Sequence, residues 1–363
     1  MANSNQSGIG KKILRFGLGI VGALVLTTMG LGIWIFSGAT GGAKILAWQA
    51  PAPSARDLKS ILKRKGVLEH IPLATGRVLM DKRVILNMSA PGASSFVDDG
   101  TPVIVYAHLL RHPTHGDVLI DSGLDSAFRK SPLGNVRYPG RLWLFASGIR
   151  FAQEPGRDIA SRLRALSARP RKLFLTHLHV DHTAGIPELP ASTRVFVGPG
   201  EIGDFFNRVD NGHLRKLREI YEIDFKSAVD LAPLGETLDV FGDGSLWAVH
   251  TPGHTNGHLS FLALTRAGPV LFTGDACHLE WGWKNGVGPM GITAKRNDQG
   301  QKSLNRLRKF SRLHPEARIW FGHQPPAKKR ARAGISIRKS DGAAANQSRI
   351  FSRLYSPWNR PRL

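Results

Sequence analysis

The stretch KLFLTHLHVDHTAG, residues 172–185, joins an apolar run to a dense polar cluster. The apolar run is rich in residues that favour β-strands and is typical of a buried strand. His177, His179, Asp181 and His182 then occupy four of six consecutive positions. A histidine-rich surface loop is one explanation, although such loops do not usually follow a buried strand. The other explanation is a cluster arranged to bind a ligand.

The spacing of these four residues favours metal binding. Alternate side chains of an extended segment point to the same side, so His177, His179 and Asp181 face one way while the chain runs straight. His182 points elsewhere unless the chain turns, and DHTAG is typical of a turn. Neutral imidazoles and carboxylates suit zinc and related divalent cations. One short segment can therefore offer ligands to one metal ion and to its neighbour.

The composition is that of a protein with an ordinary packed core. The 363 residues suffice for one large α/β unit with appendages, and the apolar fraction is 42%. Cys277 is the single cysteine, which excludes an intramolecular disulfide and a cysteine-rich zinc module. Any metal ion must therefore be bound by histidine, aspartate or glutamate.

The net charge of +23 suggests an anionic partner such as a nucleic acid or a membrane surface. The charge is uneven, because residues 328–362 carry ten lysines and arginines against one acid, Asp341. Such a tail is more typical of a solvated or membrane-skimming segment than of a specific nucleic-acid reader. We therefore expect no specific nucleic-acid partner.

Residues 16–36, FGLGIVGALVLTTMGLGIWIF, form an apolar run without a charged residue. As a helix the run is about 30 Å long, enough to cross the hydrocarbon core of a bilayer. Lys11, Lys12 and Arg15 precede it, whereas Lys44 alone follows closely. This bias predicts a single-pass anchor in the inner membrane, with the body of the protein on the periplasmic side.

Two alternatives to this anchor are weaker. A cleaved signal peptide would use SGA at residues 37–39, but the run exceeds the usual apolar core of about 7–15 residues. A buried core helix is disfavoured because the run is apolar on every side.

The rest of the chain predicts an α/β layered architecture. APAPSARD, residues 50–57, reads as a linker, and a basic, helical piece follows it. Short β-prone runs come next, and helical candidates such as GRDIASRLRAL and SLNRLRKFSRL lie between some of them. The runs predicted as strands are RVILNM, PVIVYAHLLRH, DVLIDSG, KLFLTHL, RVFVG, SLWAVHT, HLSFLALT, PVLFTGD and ARIWFGH.

Several of these predicted strands end in polar residues. Asp121, His254, Asp275 and His323 each follow an apolar run, as the histidine cluster does. Catalytic groups gather at strand ends because a rigid sheet positions them while the loop exposes them. We therefore expect these residues to meet at one edge of the sheets.

The motifs THLHVDH, TPGHTNGH, FTGD and FGH, in this order, resemble the metallo-β-lactamase superfamily of hydrolases. The resemblance covers roughly residues 75–326 and implies an αββα sandwich with a two-metal site, expected to hold zinc, at one edge of the sheets. It assigns His177, His179 and His254 to one metal ion, Asp181, His182 and His323 to the other, and Asp275 to a bridge between both.

The resemblance also implies the chemistry. Two divalent metal ions about 3.5–4 Å apart would depress the pKa of a bridging water and polarise a carbonyl or phosphoryl oxygen. Asp181 could orient the resulting hydroxide and pass its proton to the leaving group. Gly274 permits close approach of the backbone beside Asp275. No serine or cysteine nucleophile is needed.

Other polar residues receive supporting roles or none. Asp121, in LIDSG, resembles an early aspartate motif of the family and is interpreted as a support for the ligands, as is His258. Cys277 reads as an ordinary buried residue, and His250 as a core or edge histidine. Three histidines in a predicted hairpin receive no role: His108, His112 and His115.

The substrate is a narrower question than the reaction, because this fold supports many hydrolases. Asp275 argues against a β-lactamase, and the ligand set resembles lactonases, glyoxalase II and nucleases. Apolar pieces at residues 136–151 and 279–292 could line a pocket for an acyl chain, pack the core or meet the membrane. Lactonases of quorum signals typically carry a tyrosine where this chain has His278, which could contact the substrate oxygen. A lactone is the leading expectation for this small-molecule substrate, with a thioester or phosphodiester as alternatives.

A protein of another class also fits the sequence: a membrane-anchored binding protein with a non-catalytic metal site. The presence of all seven expected ligands speaks against it. The predicted organisation is a short cytoplasmic segment (1–15), an anchor (16–36), a linker with a basic helix (37–74), the metallo-hydrolase domain (75–326) and a basic tail (327–363).

Overall fold

The computed structural model describes residues 42–137, 140–204 and 212–326, together with Gly22. Two β-sheets organise this part of the chain. The first has eight strands in the order β1-β8-β7-β6-β4-β3-β2-β5, and the second has six in the order β14-β13-β12-β11-β10-β9. The strands are β1 Lys44–Gln49, β2 Glu69–Leu79, β3 Val103–His112, β4 Gly116–Ile120, β5 Arg150–Ala152, β6 Lys172–Phe174, β7 Arg194–Val197, β8 Glu219–Asp224, β9 Val229–Asp230, β10 Glu236–Asp239, β11 Leu246–His250, β12 Leu259–Thr265, β13 Gly268–Phe272 and β14 Arg318–Trp320.

Six α-helices lie within the described ranges. The longest is amphipathic and covers the second sheet, whereas the others have four to seven residues. Their bounds are α1 Leu58–Leu62, α2 Gly140–Ala146, α3 Ile159–Ala165, α4 Val180–Thr183, α5 Glu280–Asn285 and α6 Ala294–Leu313.

Strand alternation divides the apolar side chains among three layers. Val118 and Ile120 of β4 face the second sheet in the central core, whereas Leu119 between them packs beneath α3. Likewise Phe261 of β12 lies in the central core, and Leu262 packs on the opposite face with α1 and α6. The result is a helix–sheet–sheet–helix sandwich, which confirms the predicted mixed α/β fold.

The structure differs from the sequence-based expectation in two segments. The run at residues 83–88, expected as a strand, includes a 3-10 turn over Lys82–Ile85, which Asp81 caps by accepting a hydrogen bond from the backbone of Arg83. In addition, β1 lies within the segment expected as a linker and basic helix, and it pairs in parallel with β8. The basic helix itself is short and ends before β2 begins.

The predicted membrane anchor, apart from Gly22, and the basic tail at 327–363 lie outside the described residues. Within the described ranges, no helix combines the length and apolar character needed to cross a bilayer. The anchor and the membrane location stay predictions.

Candidate metal centre

The polar residues expected at strand ends do meet at one edge of the two sheets. Asp121 follows β4, and the histidine cluster follows β6 and runs into α4. Asp275 follows β13 and His323 follows β14. His254 lies in the loop between β11 and β12. Both sheets therefore contribute to one site, although the residues are up to about two hundred positions apart in the chain.

One group of ligand atoms comes from His177, His179, His254 and Asp275, and these atoms all lie within 4.8 Å of one another. The Oδ2 atom of Asp275 is 3.6 Å from Nε2 of His177 and 3.5 Å from Nε2 of His254. Nδ1 of His179 lies 3.0 Å from Nε2 of His254. This is the set that the sequence resemblance assigned to the first metal ion, together with the bridging aspartate.

A second group comes from Asp181, His182 and His323. The Oδ2 atom of Asp181 is 3.6 Å from Nε2 of His182 and 3.5 Å from Nε2 of His323. The same two nitrogens lie 3.4 Å and 3.5 Å from Oδ2 of Asp275. The oxygen of Asp275 is therefore shared by both groups, as expected of a bridging ligand.

These separations fit bound cations. Two atoms that each lie about 2.0–2.1 Å from one ion in tetrahedral geometry are about 3.3–3.4 Å apart. Among the described residues, Nε2 of His177, Nε2 of His182 and Oδ1 of Asp275 are buried without a hydrogen-bond partner. Buried polar atoms are nearly always satisfied, so this cluster has the character of a site for cations. The nitrogen and oxygen donors suit zinc and related divalent ions.

Hydrogen bonds orient the histidines so that Nε2 faces the site. Nδ1 of His254 donates to the carbonyl oxygen of Met290 at 3.2 Å, and Nδ1 of His323 donates to that of Ile104 at 2.9 Å. Such bonds to the second nitrogen set the tautomer and ring orientation of metal-binding histidines. Burial lowers the pKa of His177 and His254 well below the usual value, so both rings are neutral and able to bind a cation.

Asp121 supports His182 from behind. Its Oδ2 accepts a hydrogen bond from Nδ1 of His182 at 2.8 Å, and its Oδ1 accepts one from the backbone N–H of Thr176 at 2.8 Å. The hydroxyl of Thr176 also contacts Nδ1 of His177, at 3.0 Å. Asp121 has φ of 57°, a left-handed conformation that is uncommon for residues other than glycine. This placement agrees with the supporting role expected from the sequence.

The variant Asp121→Asn tests this support. Asparagine has the size of aspartate but lacks the negative charge of the carboxylate that accepts the hydrogen bond from His182. We therefore expect metal affinity to fall by about 10- to 100-fold. Competition with a chromogenic chelator measures that affinity. Asp117→Asn is the matched control, because Asp117 lies at the other end of β4, where its carboxylate accepts from the backbone N–H of Arg169 and pairs with Arg111. An equal loss in both variants would contradict the role.

His258 stabilises the backbone of Asp275. Its Nε2 accepts a hydrogen bond from the backbone N–H of Asp275 at 2.9 Å, and its Nδ1 contacts the hydroxyl of Thr251 at 2.9 Å. Burial lowers the pKa of His258 to about 3, which keeps the ring neutral. Both ring nitrogens are engaged, so His258 positions Asp275 and leaves no nitrogen for a cation.

Gly274 lies against this histidine, and its lack of a side chain permits the close approach expected beside Asp275. It has φ of +50°, and a Cβ atom there would lie 2.9 Å from Nε2 of His258 and from the side chain of Thr176. A side chain at this position would therefore be strained and would collide with the ring that holds Asp275.

His278 is buried at 1% exposure beside both groups. Its Nε2 lies 3.2 Å from Oδ2 of Asp275, and its ring stacks on that of His323 at 5.7 Å. Neither ring nitrogen of His278 has a hydrogen-bond partner among the described residues. Burial alone raises the pKa of Asp275, but His278 and His323 nearby hold it well below its usual value. His278 therefore presents an uncommitted polar edge at the site.

Sequence reasoning missed Glu201, which connects the two ligand loops. Its Oε1 accepts from the backbone N–H of Leu178 at 2.9 Å, and its Oε2 accepts from that of Gly257 at 2.9 Å. Leu178 stands between His177 and His179 in the chain, and Gly257 stands three residues after His254. Glu201 is fully buried. Its one sequence signal is an acid in the GPGE turn that follows β7.

Asp204 and Arg296 extend this support and were also not identified from the sequence. Oδ2 of Asp204 accepts from the backbone N–H of Asn256 at 3.1 Å and forms an ion pair with Arg296 of α6. Asn256 lies in the same loop as His254. The long helix is thereby joined to a loop that bears a ligand.

The remaining sequence candidates lie apart from these two groups. His112 is the last residue of β3, where its Nδ1 accepts from the backbone N–H groups of Thr114 and His115 in the following turn and its Nε2 contacts Asp243 at 2.8 Å. His112 is therefore a structural residue of the hairpin, although its neighbours include other ligand-type side chains. Burial raises the pKa of the Cys277 thiol to about 12, as expected for an unreactive buried cysteine.

His108 and His250 also have structural settings. His108 contacts His70 at 3.1 Å beneath Trp320, within the core. His250 lies at the end of β11, 3.5 Å from Glu236. Neither ring reaches the two ligand groups, in agreement with the sequence-based interpretation.

Comparison with known proteins places this site in a family. The model of the metallo-beta-lactamase superfamily matches residues 100–323. The N-acyl homoserine lactonase AttM of Agrobacterium fabrum is 30% identical over 230 residues, which is 60% of this chain and 81% of that protein. The gamma-lactamase MBL2 of Gibberella moniliformis is 36% identical over 115 residues, 28% of this chain and 48% of that protein.

A solved structure agrees at the level of the fold. A variant of Bacillus thuringiensis AiiA, solved with N-decanoyl-L-homoserine at its active site, has a TM-score of 0.51 and 20% identity and covers 71% of this chain and 94% of its own. The fold and the histidine–aspartate site together define a metal-dependent hydrolase. This chain belongs to the metallo-beta-lactamase superfamily, which confirms the resemblance noted in its sequence motifs.

Proposed function

We propose that this hydrolase binds two divalent metal ions, most simply zinc, and opens the ester bond of a lactone. One observation carries the proposal: Oδ2 of Asp275 lies within 3.6 Å of ligand nitrogens from both groups. His177, His179 and His254 would hold one ion, and Asp181, His182 and His323 the other. Asp275 would bridge the two.

The chain's own residues provide the positioning and the proton transfers. When bound, two such ions lower the pKa of a shared water and polarise a carbonyl oxygen, so that hydroxide is available as the nucleophile near neutral pH. Asp181 is the most exposed carboxylate of the two groups, with 15% of its side chain accessible. It can accept a proton from the attacking water and deliver it to the alkoxide released when the ring C–O bond breaks.

The choice of a lactone rests on the relatives and on the ligand set. AttM, a lactonase, aligns with this chain over most of its own length. Exposed apolar side chains of α2 lie in a segment that packs near the centre, since Leu144 and Val180 share one hydrophobic cluster. Val180 stands between His179 and Asp181, so an acyl chain on the substrate would have apolar surface within reach.

A hydrolytic screen of the zinc-loaded full chain tests the function. The panel contains N-decanoyl homoserine lactone, a glutathione thioester, an aryl phosphodiester and a β-lactam. We expect the lactone to have the highest kcat/KM by at least about tenfold, the scale of one good discriminating contact. A thioester or phosphodiester preferred instead would replace the substrate class. Stoichiometric metal without turnover of any substrate would favour a non-catalytic binding protein.

His278 is proposed to donate a hydrogen bond to the carbonyl oxygen of the substrate. Removing such a donor in His278→Phe should lower kcat by about 10²-fold while the metal content stays unchanged. His278→Tyr should restore part of kcat, because a hydroxyl also donates. His250→Phe serves as a control histidine away from the site. Loss of metal from His278→Phe would instead make His278 a ligand.

Membrane attachment is also part of the proposal. Its support is the charge-free run at residues 16–36 and the basic residues that precede it. The run would hold the chain in the inner membrane with the hydrolase on the periplasmic side. Resistance to alkaline extraction of membranes tests whether the chain is inserted in the bilayer. Protease access in spheroplasts tests whether the hydrolase is on the periplasmic side.

A further inference from the structure

Helix α2 exposes large apolar side chains that a water-facing helix does not usually carry. Leu142, Trp143 and Phe145 are 60%, 45% and 61% exposed, whereas Leu144 between them is buried. Contiguous exposed apolar residues mark an interaction surface more often than scattered ones do. We name these three exposed side chains the apolar ridge.

The chain segment that carries the apolar ridge is basic, with Asp125 and Glu154 flanking it. From residue 126 to residue 153 the chain has five basic residues and no acid. Four of the five are exposed: Arg129, Lys130, Arg137 and Arg150. The guanidinium of Arg150 also lies 5.4 Å from the ring of Phe145, so charge and apolar surface are directly adjacent.

The helix that carries the ridge is anchored on the same hydrophobic cluster as the segment that carries two of the ligands. The buried Leu144 packs in the same hydrophobic cluster as Val180 of α4, which lies between His179 and Asp181. Asn135, just before α2, donates to the backbone carbonyl of Ala184 at 3.2 Å, directly after α4. These contacts connect the base of the ridge to α4, which carries Asp181 and His182.

We propose that the apolar ridge and its arginines dock onto an anionic lipid surface. Leucine, tryptophan and phenylalanine beside arginine are the composition of segments that lie in the membrane interface. Each arginine near an anionic bilayer strengthens the binding of the protein to that bilayer roughly fivefold, and this electrostatic effect falls off within a Debye length. Docking presents the metal centre to amphiphilic substrates partitioned in the bilayer. The proposal rests on described residues and requires neither the predicted anchor nor the proposed reaction.

Site-specific labelling of the full chain tests the docking. Phe145→Cys carries an environment-sensitive NBD fluorophore, and Lys226→Cys, whose side chain is 89% exposed, carries the same label as a matched control. Cys277 is buried and its thiol pKa is raised to about 12, so it does not compete for the label. Vesicles are made of phosphatidylcholine alone or mixed with phosphatidylglycerol, and both contain a nitroxide quencher in the lipid tail.

We expect quenching of the label at position 145, and not at 226, in the mixed vesicles. Replacing Arg129, Arg137 and Arg150 together with glutamine should reduce quenching to the level in neutral vesicles. Insertion of the uncharged amino-terminal run does not require anionic lipid, so the difference between mixed and neutral vesicles at position 145 reports α2 and its basic residues. A position-145 label that stays in water in the mixed vesicles overturns the proposal. An increase in NBD fluorescence at position 145 that appears without vesicles and rises with protein concentration also overturns it, because a second copy of the chain would then cover the ridge.

Discussion

Asp275→Ala should cost the protein its bound metal and its turnover together. The Oδ2 atom of Asp275 lies 3.4–3.6 Å from nitrogens of both ligand groups, so its removal leaves each group incomplete. Loss of residues that merely support ligands costs about 10- to 100-fold in affinity or activity. We expect a larger loss here, above about 100-fold in kcat/KM, because a shared ligand is removed.

Metal content after dialysis, measured by mass spectrometry, separates this effect from unfolding. Asp298→Ala is the matched control, because Asp298 is an exposed aspartate on α6. Circular dichroism of both variants should match that of the parent chain. Retention of two metal ions by Asp275→Ala would contradict the bridging assignment.

Gly322→Ala should have the second largest effect, although it changes no polar group. A Cβ atom at Gly322 would lie 2.2 Å from Oδ1 of Asp275 and 2.9 Å from the backbone carbonyl of Gly274. The carboxylate must move, which would take its Oδ2 atom away from the nitrogens of one or both ligand groups. Forcing one extra carbon into a packed site typically costs about 1–3 kcal/mol. We expect metal affinity to fall by at least about tenfold.

Gly268→Ala is the comparison for steric cost. Gly268 also has a positive φ, but no atom lies within 4 Å of a Cβ built there. It should lower the melting temperature slightly through backbone strain and leave metal affinity unchanged. A loss of affinity in Gly268→Ala as large as in Gly322→Ala would show that general destabilisation, and not displacement of Asp275, explains the result.

The ligand types and their places in the chain could be predicted because they follow local rules. An apolar run that ends in His177, His179, Asp181 and His182 predicts a strand leading into a polar site, and β6 and α4 lie there. Apolar runs before Asp275 and His323 likewise became β13 and β14. One incorrect strand prediction also has a local cause. Residues 83–88 have a β-prone composition, but the Asp81 cap favours a turn there.

The supports of the site could not be predicted, because they depend on contacts between distant segments. Glu201 reaches Leu178 and Gly257, which are 23 and 56 residues away. Nothing in the GPGE turn indicates either partner. The sequence indicated that His258 supports the ligands, but only the structure shows how, since its Nε2 accepts a hydrogen bond from the backbone N–H of Asp275.

The sequence by itself determined which residues can bind metal, since side-chain chemistry and strand periodicity are properties of short segments. The family resemblance implied that Asp275 is shared, but only the tertiary structure shows its Oδ2 atom within 3.6 Å of nitrogens from both groups and Nε2 of His254 and His323 facing the site. The tertiary structure also decided that Gly322 has no room for a methyl group. Those outcomes depend on how the two sheets pack face to face, because that packing brings together, at one edge of the sandwich, residues that are far apart in the chain.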